Sequence, residues 1–265
     1  MTIARNSRLV DNLKMRTWID ASLGGYAYAD LIKSLYSTSL IGYWPLWELS
    51  GTVAEDISGN HRDGVYHGVD LGQPGIGDGR TAPYFDGLYD YVDIYSTSLR
   101  GAFNGSEGSA MAWMKVSSSA VWTDAAMRYV LYLYVDGNNY IRLYKSTTNN
   151  VLDARYRSGG TLLERKPTGI TSTNWIHFCI TWSKSHDRMR TYVNGSKFST
   201  DVTGLGTWSG LLSSSGTLIG ASAPNTSVWS GNIAHTLILN REATAAELVA
   251  TQGTLDTIDT FYAAP

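Results

Sequence analysis

Hydrophobic and polar residues alternate strictly over 175–182, and the alternation resumes over 188–193. This period of two is typical of β-strands, because successive side chains point to opposite faces. The first run divides into Trp175, His177, Cys179 and Thr181 on one face and Ile176, Phe178, Ile180 and Trp182 on the other. A polar turn at 184–187 joins the runs, and Asn194-Gly195 follows with residues that tolerate positive φ. The pattern predicts a hairpin within a larger antiparallel sheet.

Similar patterns predict strands along most of the chain. Their expected ranges are 43–48, 89–94, 109–116, 128–135, 140–145, 151–157, 217–220 and 231–239. In 128–135, Tyr132 and Tyr134 share one face and the leucines share the other, which predicts a strand covered on both sides. Strand signals spread this evenly over 265 residues favour one all-β domain.

Helical periodicity is confined to the two ends of this strand-rich region. Ala27, Leu31 and Leu35 recur at every fourth position within 26–40, which predicts an amphipathic helix. A shorter helix is expected at 244–249, with Thr244 and Glu247 in the positions of a capping box. We therefore predict an N-terminal arm at 1–40 and a sandwich domain at 41–265. The arm would either pack against the sandwich or attach it to a larger assembly.

Composition and charge narrow the classes of partner. The chain is 43% hydrophobic with 27 Gly and 6 Pro, which suits a buried core with many turns. Its formal net charge of −2 gives no reason to expect nucleic acid as the partner. No apolar run reaches about 18 residues, so membrane insertion is not expected, and no export signal is recognisable. The single cysteine, Cys179, is expected to be a buried, unpaired thiol.

Several short motifs, taken together, resemble a known family. They are Gly42-Tyr43-Trp44-Pro45-Leu46-Trp47-Glu48, Asp56-Ile57-Ser58-Gly59-Asn60, Tyr84-Phe85-Asp86-Gly87, Trp-x-His-x-x-x-Thr-Trp at 175–182, Tyr-Val-Asn-Gly at 192–195, and Gly231-Asn232-Ile233. Their order resembles that of laminin G-like and pentraxin-like domains of the concanavalin A-like lectin/glucanase superfamily, over about 40–249. The resemblance implies an antiparallel β-sandwich of the jelly-roll type. It does not by itself fix a function, since this fold serves lectins, enzymes and interaction modules.

The same resemblance implies a possible calcium site. Related domains often hold Ca²⁺ with the aspartate of the first loop and an acidic residue just after the final Gly-x-Ile. Asp56 and Asn60 occupy the first loop here, and oxygen ligands are what this cation prefers. Ala234 and His235 stand where the second acidic group is expected. Calcium at Asp56 and Asn60 is therefore one hypothesis, and Asp56 as a turn-capping residue is the other.

Candidate sugar contacts lie in loops. Trp122, Trp208 and Trp229 stand in Ser-, Thr- and Gly-rich surroundings, where an aromatic ring could stack on a pyranose. Asn225 could add an amide contact. The alternative for each tryptophan is a plug over the edge of the sandwich.

Catalytic motifs are missing from the sequence. Glucanases of the superfamily carry Glu-x-Asp-x-x-Glu on one strand, whereas none of the six glutamates here has an acidic residue at i+2. His-Glu-x-x-His and Gly-x-Ser-x-Gly are also absent. An enzyme related to glycoside hydrolases is therefore the least favoured hypothesis.

Two hypotheses of function remain. The first is a non-catalytic, lectin-like binding or adhesion module that recognises surface carbohydrate and is displayed on a bacteriophage capsid or tail. The second is a purely structural virion decoration that contacts other virion proteins through residues 1–40. The fold is of an extracellular type and the sequence lacks an export signal, a combination expected of a protein on a virion surface; otherwise we expect an extracellular protein. Either module could form a homo-oligomer.

Overall fold

Two antiparallel β-sheets stacked face to face account for most of the computed structural model, which describes residues 27–252. In chain order the elements are α1 (Ala27–Tyr36), β1 (Leu40–Trp44), β2 (Val53–Ala54), β3 (Gly64–His67), β4 (Asp70–Pro74), β5 (Thr81–Asp86), β6 (Tyr91–Asp93), α2 (Thr97–Ala102), β7 (Glu107–Val116), β8 (Arg128–Asp136), β9 (Asn139–Lys145), β10 (Leu152–Ser158), β11 (Thr161–Arg165), β12 (Ile176–Ser183), β13 (Arg188–Val193), β14 (Ser196–Lys197), β15 (Thr217–Ile219), β16 (Ser230–Leu239) and α3 (245–252). The predicted all-β sandwich is confirmed.

Strands distant in sequence are neighbours in both sheets. Sheet I has the order β14-β13-β12-β7-β16-β5-β4, and β1 also pairs with β16. Sheet II has the order β11-β10-β9-β8-β15-β6-β3-β2. Because β7 lies between β12 and β16, the chain crosses repeatedly between the sheets rather than forming a simple meander.

The predicted hairpin becomes β12 and β13 in sheet I. Ile180 and Trp182 of β12 point between the sheets into the main core, while Cys179 lies on the outer face. Asn194 and Gly195 both have positive φ, at 49° and 71°, and form the turn that the sequence predicts. Burying one large apolar side chain of this kind contributes about 1.5–3 kcal/mol. Alternation therefore identified the strand correctly, but both of its faces are buried.

Two helices cover the outer face of sheet I. Tyr28 and Tyr36 of α1 are almost fully buried there. The indole N–H of Trp113 donates to the hydroxyl of Tyr28 at 2.7 Å, and Tyr36 shares a hydrogen bond of 2.9 Å with Thr251 of α3. The described part of the predicted arm is thus packed on the sandwich. Residues 1–26, the rest of that arm, lie outside the described residues.

The first strand begins and ends earlier than the predicted range of 43–48. It spans Leu40–Trp44 because Pro45 has no N–H to continue a ladder and Leu46 takes a positive φ of 62°. The C-terminal capping box forms as predicted. The backbone N–H of Thr244 donates to Glu247 at 2.8 Å, and the N–H of Glu247 donates to the Thr244 hydroxyl at 3.2 Å.

None of the helices within 27–252 is long and apolar enough to cross a lipid bilayer.

Both α1 and α3 pack on sheet I, where their buried side chains join the outer cluster around Trp113 and Cys179. The outer face of sheet II carries tyrosines and arginines instead.

Candidate functional site

Two of the three loop tryptophans are core residues. Trp122 is 1% exposed and Trp229 is fully buried, and both belong to the cluster between the sheets. Their indole N–H groups donate to main-chain carbonyls, Trp122 to Ser172 at 2.9 Å and Trp229 to Lys115 at 3.2 Å. A shallow depression of about 340 Å³ lies beside Trp122 but reaches little of its ring. Contrary to the expectation from their polar surroundings, neither ring offers a face to a sugar.

Trp208 and Asn225 have different positions. Trp208 is partly buried. Its ring centroid lies 5.7 Å from that of Phe103 and 5.8 Å from that of Tyr156, so the ring closes one end of the sandwich. Asn225 is exposed at a loop tip with a φ of 60°. The same loop meets sheet II at the start of β8, where the N–H of Tyr129 donates to a carbonyl two residues beyond Asn225.

Asp56 organises the first loop through hydrogen bonds to backbone N–H groups. One carboxylate oxygen accepts from the N–H groups of Tyr43 and Ser58, and the other accepts from that of Arg62, each at 2.9 Å. The amide of Asn60 donates to the carbonyl of Leu40 at 3.0 Å. Three N–H donors, with the favourable charge of the Arg62 guanidinium, satisfy the Asp56 carboxylate without a cation. These contacts do not fit a calcium site and agree with the turn-capping alternative.

This arrangement gives a testable result for stability. Replacing Asp56 with Asn should lower the free energy of unfolding by about 1–2 kcal/mol, because buried N–H groups lose a charged acceptor. Urea unfolding of both proteins, with calcium and with a chelator, measures the effect. We expect calcium to leave both midpoints unchanged. A calcium-dependent rise in the wild type alone would show that the ion binds at this loop.

Alternate positions on β8, β9 and β10 place aromatic and cationic side chains on the outer face of sheet II, and an irregularity of β8 between Tyr129 and Leu131 brings Tyr129 to the same face. Neighbouring strands align them, because Tyr132 is the register partner of Arg142 and Arg142 is that of Arg155. We call this surface the tyrosine–arginine face. It comprises Tyr129, Tyr132, Tyr134, Tyr140, Tyr144, Arg142, Arg155 and Arg157.

The rings of this face contact one another closely. Tyr129 stacks on Tyr144 with centroids 5.2 Å apart and planes 18° apart. Tyr132 lies 5.3 Å from Tyr134 and 5.2 Å from Tyr129. Tyr129, Tyr140 and Tyr144 are buried, whereas Tyr132 and Tyr134 keep part of their surface in solvent. The face therefore consists of buried, closely packed rings and two accessible ones. The prediction that the strand at 128–135 is covered on both sides is wrong, because its Tyr132 and Tyr134 face is partly open to solvent.

Arg142 lies over the buried rings. Its guanidinium is 4.8 Å from the centroid of Tyr144 and 4.9 Å from that of Tyr140, and it donates to the hydroxyl of Tyr129. A cation held against aromatic rings is attracted by their negative faces. Burial raises the pKa of Tyr129, so its phenol stays neutral at physiological pH. Arg142 is thus fixed in position while remaining partly exposed.

Asp153 lies beneath the arginines and is completely buried. It accepts hydrogen bonds from the hydroxyl of Tyr144 and from Arg155, whose guanidinium is also 2.9 Å from Glu164. Burial raises the pKa of Asp153 above its usual range, although Tyr144 and Arg155 oppose the shift. For Arg155, burial alone would lower the pKa, but its bonds to Asp153 outweigh it and raise the pKa. Asp153 is therefore a group that positions Arg155 on the face.

Residues 87–249 match the family model Laminin_G_3, of the concanavalin A-like lectin/glucanases superfamily. The chain belongs to this superfamily. The match begins after β5 and includes every strand that carries the tyrosine–arginine face. No curated protein matches the sequence.

Solved structures of lectin-like domains share the fold at low sequence identity. The receptor-binding domain of botulinum neurotoxin mosaic serotype C/D has a TM-score of 0.63 at 13% identity, covering 81% of this chain and 50% of that one. Domain 4 of AbnA, a GH43 extracellular arabinanase from Geobacillus stearothermophilus, has a TM-score of 0.58 at 15% identity, covering 81% and 98%. The Ruminococcus gnavus IT-sialidase CBM40 has a TM-score of 0.52 at 13% identity, covering 65% and 96%. The chain thus spans about half of the toxin fragment but nearly all of the two smaller domains.

Two polar clusters of this chain differ from the geometries that catalysis needs in a superfamily whose name includes glucanases. Ser183 and Glu242 both contact His186, at 3.0 and 3.1 Å, but they share the same Nδ1 atom. A serine triad needs the two ring nitrogens for different partners, so this cluster cannot relay a proton. On the tyrosine–arginine face, Asp153 is buried and Glu164 is bound to Arg155, which leaves no open carboxylate pair there for glycoside hydrolysis.

Proposed function

We propose that this protein is a non-catalytic, lectin-like binding module whose ligand is a glycan bound on the tyrosine–arginine face. The observation that carries the proposal is the pair of accessible rings, Tyr132 and Tyr134, held beside partly exposed guanidinium groups. Within residues 27–252, sheet I offers no comparable surface, because α1 and α3 pack on its outer face.

The chemistry of this face suits saccharides. Tyrosine rings present flat apolar surfaces to the C–H groups of a sugar ring, and their hydroxyls remain available for hydrogen bonds. Guanidinium groups add donors in a fixed plane, which bond to sugar oxygens in pairs. The Tyr132 ring is already packed against Tyr129 and Tyr140, and the Tyr134 ring against Tyr132, so binding orders little that is not ordered in the free protein.

Structures with the same fold support this proposal. Domain 4 of AbnA was solved in complex with arabinotriose, and the Ruminococcus gnavus domain is named a CBM40 of a sialidase. At sequence identities of 15% and 13%, these structures support a shared fold only. The proposed site is argued from the residues of this chain.

Display on a bacteriophage virion is the more specific part of the proposal. α1 follows residues 1–26 and packs on sheet I, so it lies on the side of the sandwich opposite to the tyrosine–arginine face. A domain attached through residues 1–40 would then direct this face away from the particle. Mass spectrometry of purified virions tests the idea, and detection only in the supernatant of the lysed host would contradict it.

A glycan-array screen of the purified chain tests the binding function. We expect binding that persists in a chelator, because the Asp56 loop is satisfied without a cation. Tyr132→Ala should weaken binding about tenfold, equivalent to about 1.4 kcal/mol, by removing an accessible ring. Tyr89→Ala, which removes a ring that is 63% exposed in a loop, is the matched control and should bind as the wild type does.

If the folded wild type binds no glycan on the array, the proposal is contradicted and a purely structural module is favoured. Binding that is equal in the wild type, Tyr132→Ala and Tyr134→Ala would place the glycan elsewhere on the domain. Circular dichroism of each variant ensures that a loss of binding is not a loss of fold.

A further inference from the structure

The charges of the tyrosine–arginine face are not balanced. Arg155 lies between two carboxylates, with contacts of 2.9 Å to both Asp153 and Glu164. Arg142 and Arg157 have no carboxylate within 4.0 Å among residues 27–252. Two of the three guanidinium groups are therefore unneutralised, although the chain as a whole has a net charge of −2. With Asp153 and Glu164 counted against the three arginines, the face carries a formal charge of +1 on a slightly acidic protein.

Arg142 has an unfavourable electrostatic and hydrogen-bonding environment. It is the direct register partner of Arg155 across β9 and β10, and like charges in that relation are destabilising. Its Nε atom is buried and has no hydrogen-bond partner among the described residues. An unsatisfied buried donor of this kind costs free energy in the folded protein. Because the Nε atom is buried, a ligand can reach this guanidinium only through its terminal nitrogen atoms. The three nearby rings offset part of this cost, but they cannot accept a hydrogen bond in the guanidinium plane.

Arg157 extends the same cationic row. Its register partner on β9 is Tyr140, whose ring lies 6.0 Å from the Arg157 guanidinium. Arg157 donates to the carbonyl of Gly160 at 3.1 Å through Nε and remains partly exposed. The accessible Tyr134 is the register partner of Tyr140 on the other side. Accessible rings and unneutralised cations therefore occupy adjacent strands of one continuous surface.

We infer that the face binds an acidic saccharide, with Arg142 and Arg157 binding its anionic group and Tyr132 or Tyr134 contacting its sugar ring. This inference rests on the proposed glycan-binding function and adds the chemical class of the ligand. A carboxylate or a sulfate ester would be the anionic partner that the two arginines lack, bound through their terminal guanidinium nitrogens. Both groups have this chemistry, so the test includes one ligand of each type.

Single-stranded nucleic acid is the other polyanion that stacks on aromatic rings. The net charge of −2 and the presence of just two unneutralised arginines on the face favour the saccharide, because nucleic-acid binding depends on many phosphate contacts. A short oligonucleotide is therefore included as a competitor. Its preferential binding at moderate salt would overturn the inference.

Isothermal titration of the full chain with three oligosaccharides of equal length tests the inference directly. One is neutral, one carries uronic acids and one carries sulfate esters. We expect at least one acidic ligand to bind ten times more tightly than the neutral one, with an advantage that shrinks as salt rises. Arg157→Gln should reduce this preference at least threefold, whereas Arg100→Gln, an exposed charge on α2, should leave it unchanged.

Arg142→Gln should abolish the preference, and Arg142→Lys should retain only part of it, since lysine keeps the charge without the planar fork. Tyr132→Ala should weaken neutral and acidic ligands by similar factors. Equal affinity for neutral and acidic ligands would contradict the inference and leave the proposed glycan binding intact. No binding of any saccharide by the folded chain would contradict both. Arg157→Gln keeps the test decisive if Arg142→Gln lowers the unfolding midpoint.

Discussion

Trp229→Ala should lower the free energy of unfolding by about 3–5 kcal/mol, the usual cost of truncating a buried tryptophan. Trp229 is fully buried between the sheets, and its indole N–H donates to Lys115 at 3.2 Å. The total stability of a domain is typically about 5–15 kcal/mol, so this variant loses a large part of it. The expected phenotype is a fold defect, accompanied by loss of any ligand binding at raised temperature.

Urea unfolding followed by circular dichroism measures this effect. Tyr89→Ala is the control for removal of an exposed aromatic ring and should change stability by less than about 0.5 kcal/mol. A Trp229→Ala variant with normal stability but no glycan binding would contradict the assignment of this ring to the core. It would indicate that Trp229 contacts the ligand, as its polar surroundings in the sequence suggest.

Acidification should destabilise the protein through His177. Burial lowers the pKa of this imidazole to about 3, and neither ring nitrogen has a hydrogen-bond partner among the described residues. In the unfolded chain a histidine has a pKa of about 6.5, so below that pH the unfolded state binds a proton that the folded state excludes. His177 therefore does not reduce the free energy of unfolding above pH 6.5, and it reduces it progressively as the pH falls from 6.5 towards 3. From pH 6.5 to 4.5 the loss is about 2–3 kcal/mol.

The comparison of wild type with His177→Phe isolates this contribution. The substituted ring remains next to Trp113, whose centroid lies 5.2 Å from that of His177. Burial raises the pKa of Asp90 and Asp153, and these groups act in the opposite direction but equally in both proteins. His61→Asn, an exposed position, is the matched control and should retain the wild-type dependence. An unchanged pH dependence in His177→Phe would contradict the account.

Local sequence patterns predicted the elements whose geometry is set by near neighbours. Alternation over 175–182 identified β12, and the Thr244–Glu247 box identified the start of α3. The same patterns could not tell a surface loop from one that folds under a sheet. Trp122 and Trp229 have polar neighbours in sequence, but their rings turn inward where the two sheets meet.

The tyrosine–arginine face was not predicted as a site because it is assembled across strands. Tyr132, Arg142 and Arg155 are ten or more positions apart in sequence and become neighbours only through the register of β8, β9 and β10. The alternating Tyr132 and Tyr134 were an available signal, and Arg155 and Arg157 repeat the same spacing. Recognising their common face required the pairing of the three strands, which long-range contacts determine.

A crystal structure of the domain with the tightest-binding oligosaccharide tests the central claim most directly. We predict a sugar ring against Tyr132 or Tyr134, with an anionic group within hydrogen-bonding distance of Arg142 or Arg157. A ligand bound instead at the loop tip around Asn225 or in the depression beside Trp122, with the tyrosine–arginine face empty, would contradict the account.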